Sequence, residues 1–254
     1  MQSPARALAL CCLALLLFGC ATQPIAKRDP RDPWERVNRV TYSFNDKFDK
    51  AIARPVARTY VNVTPQVVRT GVSNFVDNLT YPVTIVNDLL QAKFKQTCSD
   101  TGRLVLNSTV GFGGLMDPAT AVGLDKNNED FGQTLGYWGV KPGPYLVLPF
   151  LGFSDTRDAF GTVVDIYSHP THYIRNTYVS WGLWGVEVLD ARARLLSANS
   201  VVDNTYDPYT FTKNAYLQRR HYLVTDGQVD ELPPPDDPGA DDSSPDSGTP
   251  PQKN

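Results

Sequence analysis

The amino-acid sequence predicts a mostly α-helical protein built around a single folded domain, residues 32–225. Apolar side chains recur there with the spacing of amphipathic helices, and segments with strand character are few and short. The 254 residues, 41% apolar and 20% charged, are enough for one sizeable domain. A formal net charge of −3 argues against a nucleic-acid-binding protein.

The N-terminus has the layout of a cleaved export signal. Arg6 precedes twelve unbroken apolar residues, 7–18, whereas a spanning helix needs about 20. The run ends in residues 17–20 (LFGC), which resemble the lipobox of bacterial lipoproteins. The resemblance implies that residues 1–19 are removed and that Cys20 then carries a covalent N-acyl diacylglycerol. An ordinary secretory signal with a chance cysteine is the alternative.

Two polar segments flank the domain. Residues 20–31 form a short linker. In enterobacterial lipoproteins, an Asp directly after the lipidated cysteine resembles a signal for retention in the inner membrane. This sequence has Ala21 there, which implies export to the outer membrane. Residues 226–254 hold eight acidic residues, seven prolines and no aromatic residue, a composition that predicts disorder. Cys98 is the only thiol after Cys20, and we expect it to be a small buried apolar residue.

The first half of the domain contains two predicted helices. Residues 32–35 (DPWE) are arranged as a capping box, and the apolar stripe that follows continues to Ile52, with Pro55 as its end. Residues 64–65 (TP) begin a second helix in the same way. Its apolar stripe over residues 67–79 is sharp, with polar side chains on the opposite face.

The second half contains two more predicted helices. The third covers residues 181–197, and residues 207–208 (DP) begin a fourth that ends before Gly227. Residues 60–63 and 145–148 have strand character, but neither has an evident partner.

Two stretches are unusual for a helical bundle. Gly111, Gly113 and Gly114 begin a Gly-rich loop that reaches about Glu129 and is typical of a hinge or gate. Residues 143–153 contain no charge, and are too short and too rich in proline to span a bilayer. They either form a buried core segment or dip into lipid.

No group of residues in the sequence is typical of catalysis. His169 and His172 lack a further ligand at a metal-binding spacing, so we expect surface or packing histidines. A Gly-x-Ser-x-Gly elbow is missing, and the Gly-rich loop lacks the Lys-Ser/Thr of a phosphate loop. Arg157, Asp158 and Asp165 form either salt bridges or a polar lining. The sequence therefore predicts a protein that is not an enzyme and that uses no metal or cofactor.

An ordered series of short motifs resembles the MlaA (VacJ) family of outer-membrane lipoproteins. The series runs from about residue 29 to residue 225, which is nearly the whole predicted domain. Its strongest block lies in residues 130–149, where DFGQTLG is followed by WGV and GPY. The other matching motifs lie at residues 32–39, 44–45, 54–55, 65, 73–79, 90–91, 106–117, 157–165 and 207–220.

The resemblance implies a ring or disc of amphipathic helices that lies in the outer membrane around a central channel. Proteins of this family remove phospholipid mislocated to the outer leaflet, pass it to a soluble MlaC-like carrier, and associate with trimeric porins. The implied location is the periplasmic side of the outer membrane, held by the lipid anchor. A polar path is needed because an unpaired charge is costly in hydrocarbon. The candidate channel-lining residues are Arg157, Asp158 and Asp165, and the candidate gate is the Gly-rich loop.

A structural lipoprotein that only tethers a porin is the competing hypothesis. Such a protein needs neither a flexible Gly-rich loop nor polar residues in its interior. A lipase that acts on the same lipids is a third hypothesis, which the missing nucleophile elbow opposes.

Replacing Cys20 with Ala is expected to abolish lipidation and to loosen membrane attachment. Each buried methylene of an acyl chain contributes about 0.8 kcal/mol, so several chains together anchor a protein firmly. Metabolic labelling with a palmitate analogue, followed by membrane fractionation, measures both effects. Cys98→Ala is the matched control and should label normally, whereas wild-type protein that takes up no label contradicts the assignment.

Overall fold

The computed structural model describes residues 29–228. Within that range the protein is predominantly helical, which confirms the predicted fold class. The predicted signal peptide, Cys20, Ala21 and the acidic tail beyond residue 228 lie outside the described residues.

Helices and one β-hairpin make up the described range. The α-helices are α1 (Glu35–Phe48), α2 (Arg54–Val63), α3 (Gln66–Leu90), α4 (Phe94–Thr109), α5 (Pro118–Ala121), α6 (Phe131–Tyr137), α7 (Thr156–Ser168), α8 (Thr177–Arg194), α9 (Asn199–Asp203) and α10 (Pro208–Val224). A π-helical turn covers Asp49–Ala53, and 3₁₀ turns cover Pro170–Tyr173 and Leu195–Ala198. Strands β1 (Tyr145–Leu148) and β2 (Gly152–Asp155) pair antiparallel.

The first predicted helix begins later and continues further than its pattern indicates. α1 begins at Glu35 without a side-chain cap, because the carboxylate of Asp32 is bonded elsewhere. The π-helical turn joins α1 to α2, so Pro55 does not end the helix. Pro55 lies in the first turn of α2, where its missing N–H costs little. Residues 60–63 are the last turn of α2 rather than a strand, since strand propensity is weak without a neighbouring strand.

A buried polar network joins the N-terminal segment to α10. The carboxylate of Asp32 accepts hydrogen bonds from Nδ2 of Asn38 at 2.8 Å and from the hydroxyl of Tyr209 at 2.5 Å. The ammonium group of Lys213 lies 3.3 Å from Asp32 and 3.0 Å from Asp29. We call these five residues the N-terminal clamp. The fold therefore includes Asp29, which lies in the predicted linker.

The other end of the domain also continues past its predicted boundary at residue 225. Asp226 forms an ion pair with Lys93 at 2.5 Å. The N–H of Gly227 donates to the carbonyl of Tyr222 at 2.9 Å, and Asp226 is left-handed, with a φ of +51°. This bond and this left-handed residue are those of a Schellman motif at the end of a helix, so the first residues of the predicted tail cap α10.

Helices α3 and α4 pack against each other and bury polar side chains. α3 extends beyond its predicted apolar stripe to Leu90 and contains Pro82. Apolar periodicity does not reveal α4, because its buried residues are Asp100, Arg103 and Asn107. These three side chains recur at helical spacing, but they are polar where a soluble protein would place apolar ones.

The uncharged stretch around residues 143–153 forms the hairpin. Tyr145 and Val147 of β1 are buried and pack with Tyr209. At the turn, Phe150 is 67% exposed. One part of the stretch is therefore a core segment, as one of the two interpretations expected, and its turn presents apolar side chains outward.

Burial within residues 29–228 is inverted relative to an ordinary globular domain. Seven apolar side chains are buried, against twenty polar or charged ones, while large apolar side chains such as Val40 and Val67 are exposed on many helices. Cys98 is exposed too, so the expectation of a buried thiol was wrong; the inward face of α4 is polar. Soluble proteins seldom bury charged residues, and rarely expose large apolar patches. In the described range, no helix has the length and hydropathy to cross a bilayer.

Two buried carboxyl groups meet between α3 and α4. Asp88 and Asp100 are fully buried and lie against each other. Burial, reinforced by the neighbouring Asp100 and Glu129, raises the pKa of Asp88 to about 8. The folded protein therefore retains a proton at neutral pH that the unfolded chain releases.

This proton makes stability depend on pH. Because the folded state binds this proton more tightly than the unfolded state does, protonation of Asp88 adds to the free energy of unfolding. The whole of this addition is present at low pH, and it is lost as the pH rises from about 4 to about 8. Asp88→Asn removes the titration, so its melting temperature in detergent should fall less than that of the wild type over this interval. Asp46→Asn on α1 is the matched control. Equal pH dependence in Asp88→Asn and the wild type would contradict the assignment.

Candidate functional site

A cavity of about 750 Å³ lies between α3, α7, α8, α10 and the hairpin. Part of its wall is apolar. Leu151, Phe153 and Ile166 contribute to this part, together with Trp181 and Trp184, whose rings meet edge to face with centroids 5.5 Å apart. Cavities of this size and character hold organic ligands in other proteins.

Arg220 of α10 organises a charged part of the wall. Its Nη1 and Nη2 donate to the two carboxylate oxygens of Asp130 at 2.6 and 3.0 Å, and its Nε lies 2.5 Å from Asp158. Burial opposes ionisation of Asp130, but the hydrogen bonds from Arg220 outweigh it and lower the pKa of this carboxyl. Asp158 also accepts a hydrogen bond from the hydroxyl of Tyr216 at 2.7 Å. Residues at α6, α7 and α10 therefore meet at one guanidinium.

The three predicted channel-lining residues occupy different places. Asp158 and Asp165 line the cavity, whereas Arg157 lies behind Asp158. Nε and Nη2 of Arg157 donate to Oδ1 of Asp158 at 3.0 and 2.9 Å, and the guanidinium is 3.8 Å from Asp155. The salt bridge and the polar lining, which the sequence left as alternatives, are thus both present at Asp158. A role for these residues in a lipid path stays a prediction.

Asp165 differs from its neighbours because it has no ion-pair partner in the described range. Both of its carboxylate oxygens lie 3.1 Å from the backbone N of Phe131, which donates to them. Burial, opposed by this hydrogen bond, raises the pKa of Asp165 to about 6. No cation of the described range forms an ion pair with this carboxylate, which is stabilised by hydrogen bonds from the backbone of Phe131 and from the side chain of Asn87.

Gly111, Gly113 and Gly114 do not line the cavity, although the Gly-rich loop that they begin reaches the cavity wall at Asn128 and Glu129. Gly113 and Gly114 have φ angles of +71° and +94°, which are costly for other residues. A Cβ on Gly114 would lie 2.7 Å from the side chain of Asn78, and a Cβ on Gly111 would lie 2.5 Å from the carbonyl oxygen of Asn107. Backbone geometry or close packing therefore requires glycine at all three positions. Their role as a gate stays a prediction.

Sequence reasoning missed Arg220 and Glu187. A cation in the last turns of a helix is favourable even where it belongs to no functional site. Arg220 was therefore indicated only by its place in a motif that matches the family. Glu187 lies on α8 and is the only charged residue among residues 177–189, so it belonged to no visible cluster of charges. His169 and His172 both line the cavity, and residues 29–228 contain no cluster of metal-ligating side chains.

Comparisons with known proteins agree with the motifs of the sequence that resemble the MlaA family. The family model of the MlaA lipoprotein matches residues 30–223. The intermembrane phospholipid transport system lipoprotein MlaA of Escherichia coli is 36% identical over 229 residues, which are 89% of this chain and 90% of that protein. The protein of the same name from Haemophilus influenzae is 32% identical over 229 residues, covering 86% and 90% of the two chains.

Relatives of unassigned activity and a solved structure match as well. The uncharacterized protein RP093 of Rickettsia prowazekii is 36% identical over 195 residues, 76% of this chain and 78% of that protein. A structure solved as the structural basis for maintenance of bacterial outer membrane lipid asymmetry aligns with a TM-score of 0.68 and 35% identity, over 78% of this chain and 100% of that chain. Residues 30–223 contain the residues that line the cavity, the Gly-rich loop and all of the N-terminal clamp except Asp29. The chain therefore belongs to the MlaA lipoprotein family.

Proposed function

We propose that this protein removes mislocated phospholipid from the outer leaflet of the outer membrane and passes it to a soluble carrier for transport away from that membrane. The observation that carries the proposal is the inverted burial, which combines a polar interior with an apolar exterior. The cavity wall combines apolar and charged side chains, as a phospholipid combines acyl chains with a charged headgroup. The relatives from E. coli and H. influenzae, named for intermembrane phospholipid transport, support this assignment.

The apolar exterior supports residence in a lipid leaflet. Fully burying one Val, Leu or Phe side chain contributes roughly 1.5–3 kcal/mol, and exposed side chains of this kind are spread over α1, α3, α7 and α8. A ring or disc of helices held in this way needs no spanning segment. We infer that N-acyl diacylglycerol on Cys20 anchors the domain on the periplasmic side of the outer membrane.

The proposed function is transport without catalysis, and it requires two protein partners. A trimeric porin would hold the domain in the membrane, and an MlaC-like carrier would accept the lipid in the periplasm. The tether hypothesis shares the porin but gives the cavity no role. A cavity of about 750 Å³ with a charged wall lowers the stability of the fold, because buried charges are destabilising unless they are paired. A protein that only tethers a porin gains nothing from such a cavity.

Filling the cavity is expected to stop lipid passage while the protein stays in the membrane. Thr162 of α7 lines the cavity, so Thr162→Phe places an aromatic ring in the space that lipid would occupy. Phosphatidylethanolamine should accumulate in the outer leaflet several-fold, as measured by an amine-reactive reagent that does not cross the membrane.

A neighbouring position on the same helix provides the control. Val163 is 50% exposed on α7 and does not line the cavity, so Val163→Phe adds an aromatic ring outside it. This variant should keep normal lipid asymmetry. If Thr162→Phe is present at the wild-type level and also keeps normal asymmetry, the tether hypothesis is favoured over transport.

The gate assignment is tested most cleanly at Gly113. A Cβ at Gly113 meets no atom within 4 Å, so Gly113→Val adds only the strain of a left-handed residue, about 1–2 kcal/mol. Lipid passage should slow while the protein level changes little, whereas Gly114→Val should lower the protein level through its clash with Asn78. Gly139→Val is the matched control, since Gly139 has a φ of +87° and equally open surroundings. Equal transport in Gly113→Val and Gly139→Val would contradict the gate.

A further inference from the structure

Three carboxylates on the cavity wall have cationic partners. Arg220 pairs with both Asp130 and Asp158. Glu129 accepts a hydrogen bond from the ammonium group of Lys93 at 2.9 Å. The charge of these three groups is therefore compensated from the protein side of the wall.

Two other carboxyl groups on the wall lack such compensation. Asp165 accepts a hydrogen bond from the backbone N–H of Phe131 and makes no ion pair within the described range. Glu187 has one carboxylate oxygen, Oε1, that is buried and accepts no hydrogen bond in that range. Its nearest ionisable neighbour is His169, with Nε2 at 3.8 Å, and burial lowers the pKa of this imidazole, which favours the neutral form. No cation of the described range pairs with Asp165 or Glu187, and burial raises the pKa of both carboxyl groups, so a cationic group placed beside them would stabilise their ionised forms.

The cavity wall carries apolar side chains as well as carboxyl groups, and an amphiphile needs both. Trp181, Trp184 and Ile166 are suited to contact acyl chains, and the headgroup then meets the carboxyl groups of the wall. A positive group there gains attraction to the two uncompensated carboxylates. A purely anionic headgroup gains none and is repelled, because like charges are destabilising at short range in a partly buried site.

We propose that the cavity selects phospholipids whose headgroup carries an ammonium group, with Asp165 and Glu187 as the residues that determine this preference. This inference rests on the proposed function. Phosphatidylethanolamine is the probe for the preferred class, and phosphatidylglycerol with the same acyl chains is the probe for the anionic class.

The test is competitive lipid binding to the full-length lipidated protein. The protein, purified in detergent, is exposed to equimolar phosphatidylethanolamine and phosphatidylglycerol, and native mass spectrometry gives the ratio of the two bound lipids. The wild type should bind phosphatidylethanolamine in about tenfold excess. Asp165→Asn and Glu187→Gln, which keep the size of each side chain, should each reduce the excess about threefold, and the double variant should bind both lipids almost equally.

Two further variants separate charge from structural damage. Asp165→Glu keeps the negative charge and should keep the preference. Asp46→Asn removes a half-buried carboxylate on α1 that pairs with Lys50, away from the cavity, and should leave the ratio unchanged.

The outcomes distinguish this inference from the proposed function. Equal binding of the two lipids by the wild type overturns the headgroup preference and leaves phospholipid binding intact. A preference that survives in the double variant overturns the assignment to Asp165 and Glu187. Failure of the wild type to bind either lipid counts against the proposed function itself, and the preference then fails with it.

Discussion

Pairing of buried charges constrains how the helices of this domain can pack. A charge buried without a partner costs several kcal/mol, and the apolar exterior offers no nearby water to compensate it. Three cations provide such pairing at three places in the fold. Arg220 joins α10 to Asp130 and Asp158. Arg103 joins α4 to Tyr81 and Asp117, and Lys213 joins α10 to the N-terminal segment. Each cation bonds to groups from different parts of the chain.

The buried apolar contacts, by comparison, are localised. Tyr145, Val147 and Tyr209 form a small cluster where the hairpin meets α10. Even this cluster borders the polar network, because the side-chain amide of Asn38 bonds to the backbone of both Tyr145 and Val147. Directional hydrogen bonds specify the packing here more than apolar volume does, since each buried polar group is satisfied in few arrangements.

Local sequence signals predicted part of this fold and part of the site. The helix that begins after Asp207 could be predicted because its cap and its proline are adjacent in the chain, and the structure confirms the cap with a hydrogen bond from Thr210. α4 and α7 could not be predicted from apolar periodicity, because polar side chains occupy much of their inward faces. Asp158 and Asp165 stood out as clustered charges. The pairing of Arg220 with Asp130 joins residues ninety positions apart, which no local spacing encodes.

The N-terminal clamp sets a geometric limit on the proposed lipid anchor. Asp29 is fixed to Lys213 at 3.0 Å, and only nine peptide steps separate it from Cys20. A fully extended chain of that length spans at most roughly 30 Å, about the thickness of the hydrocarbon core of a bilayer. With Cys20 acylated, this short segment keeps Asp29, and the part of α10 around Lys213, within roughly 30 Å of the leaflet that holds the acyl chains. The clamp would then limit the orientations of the domain to those that keep Asp29 near that membrane surface.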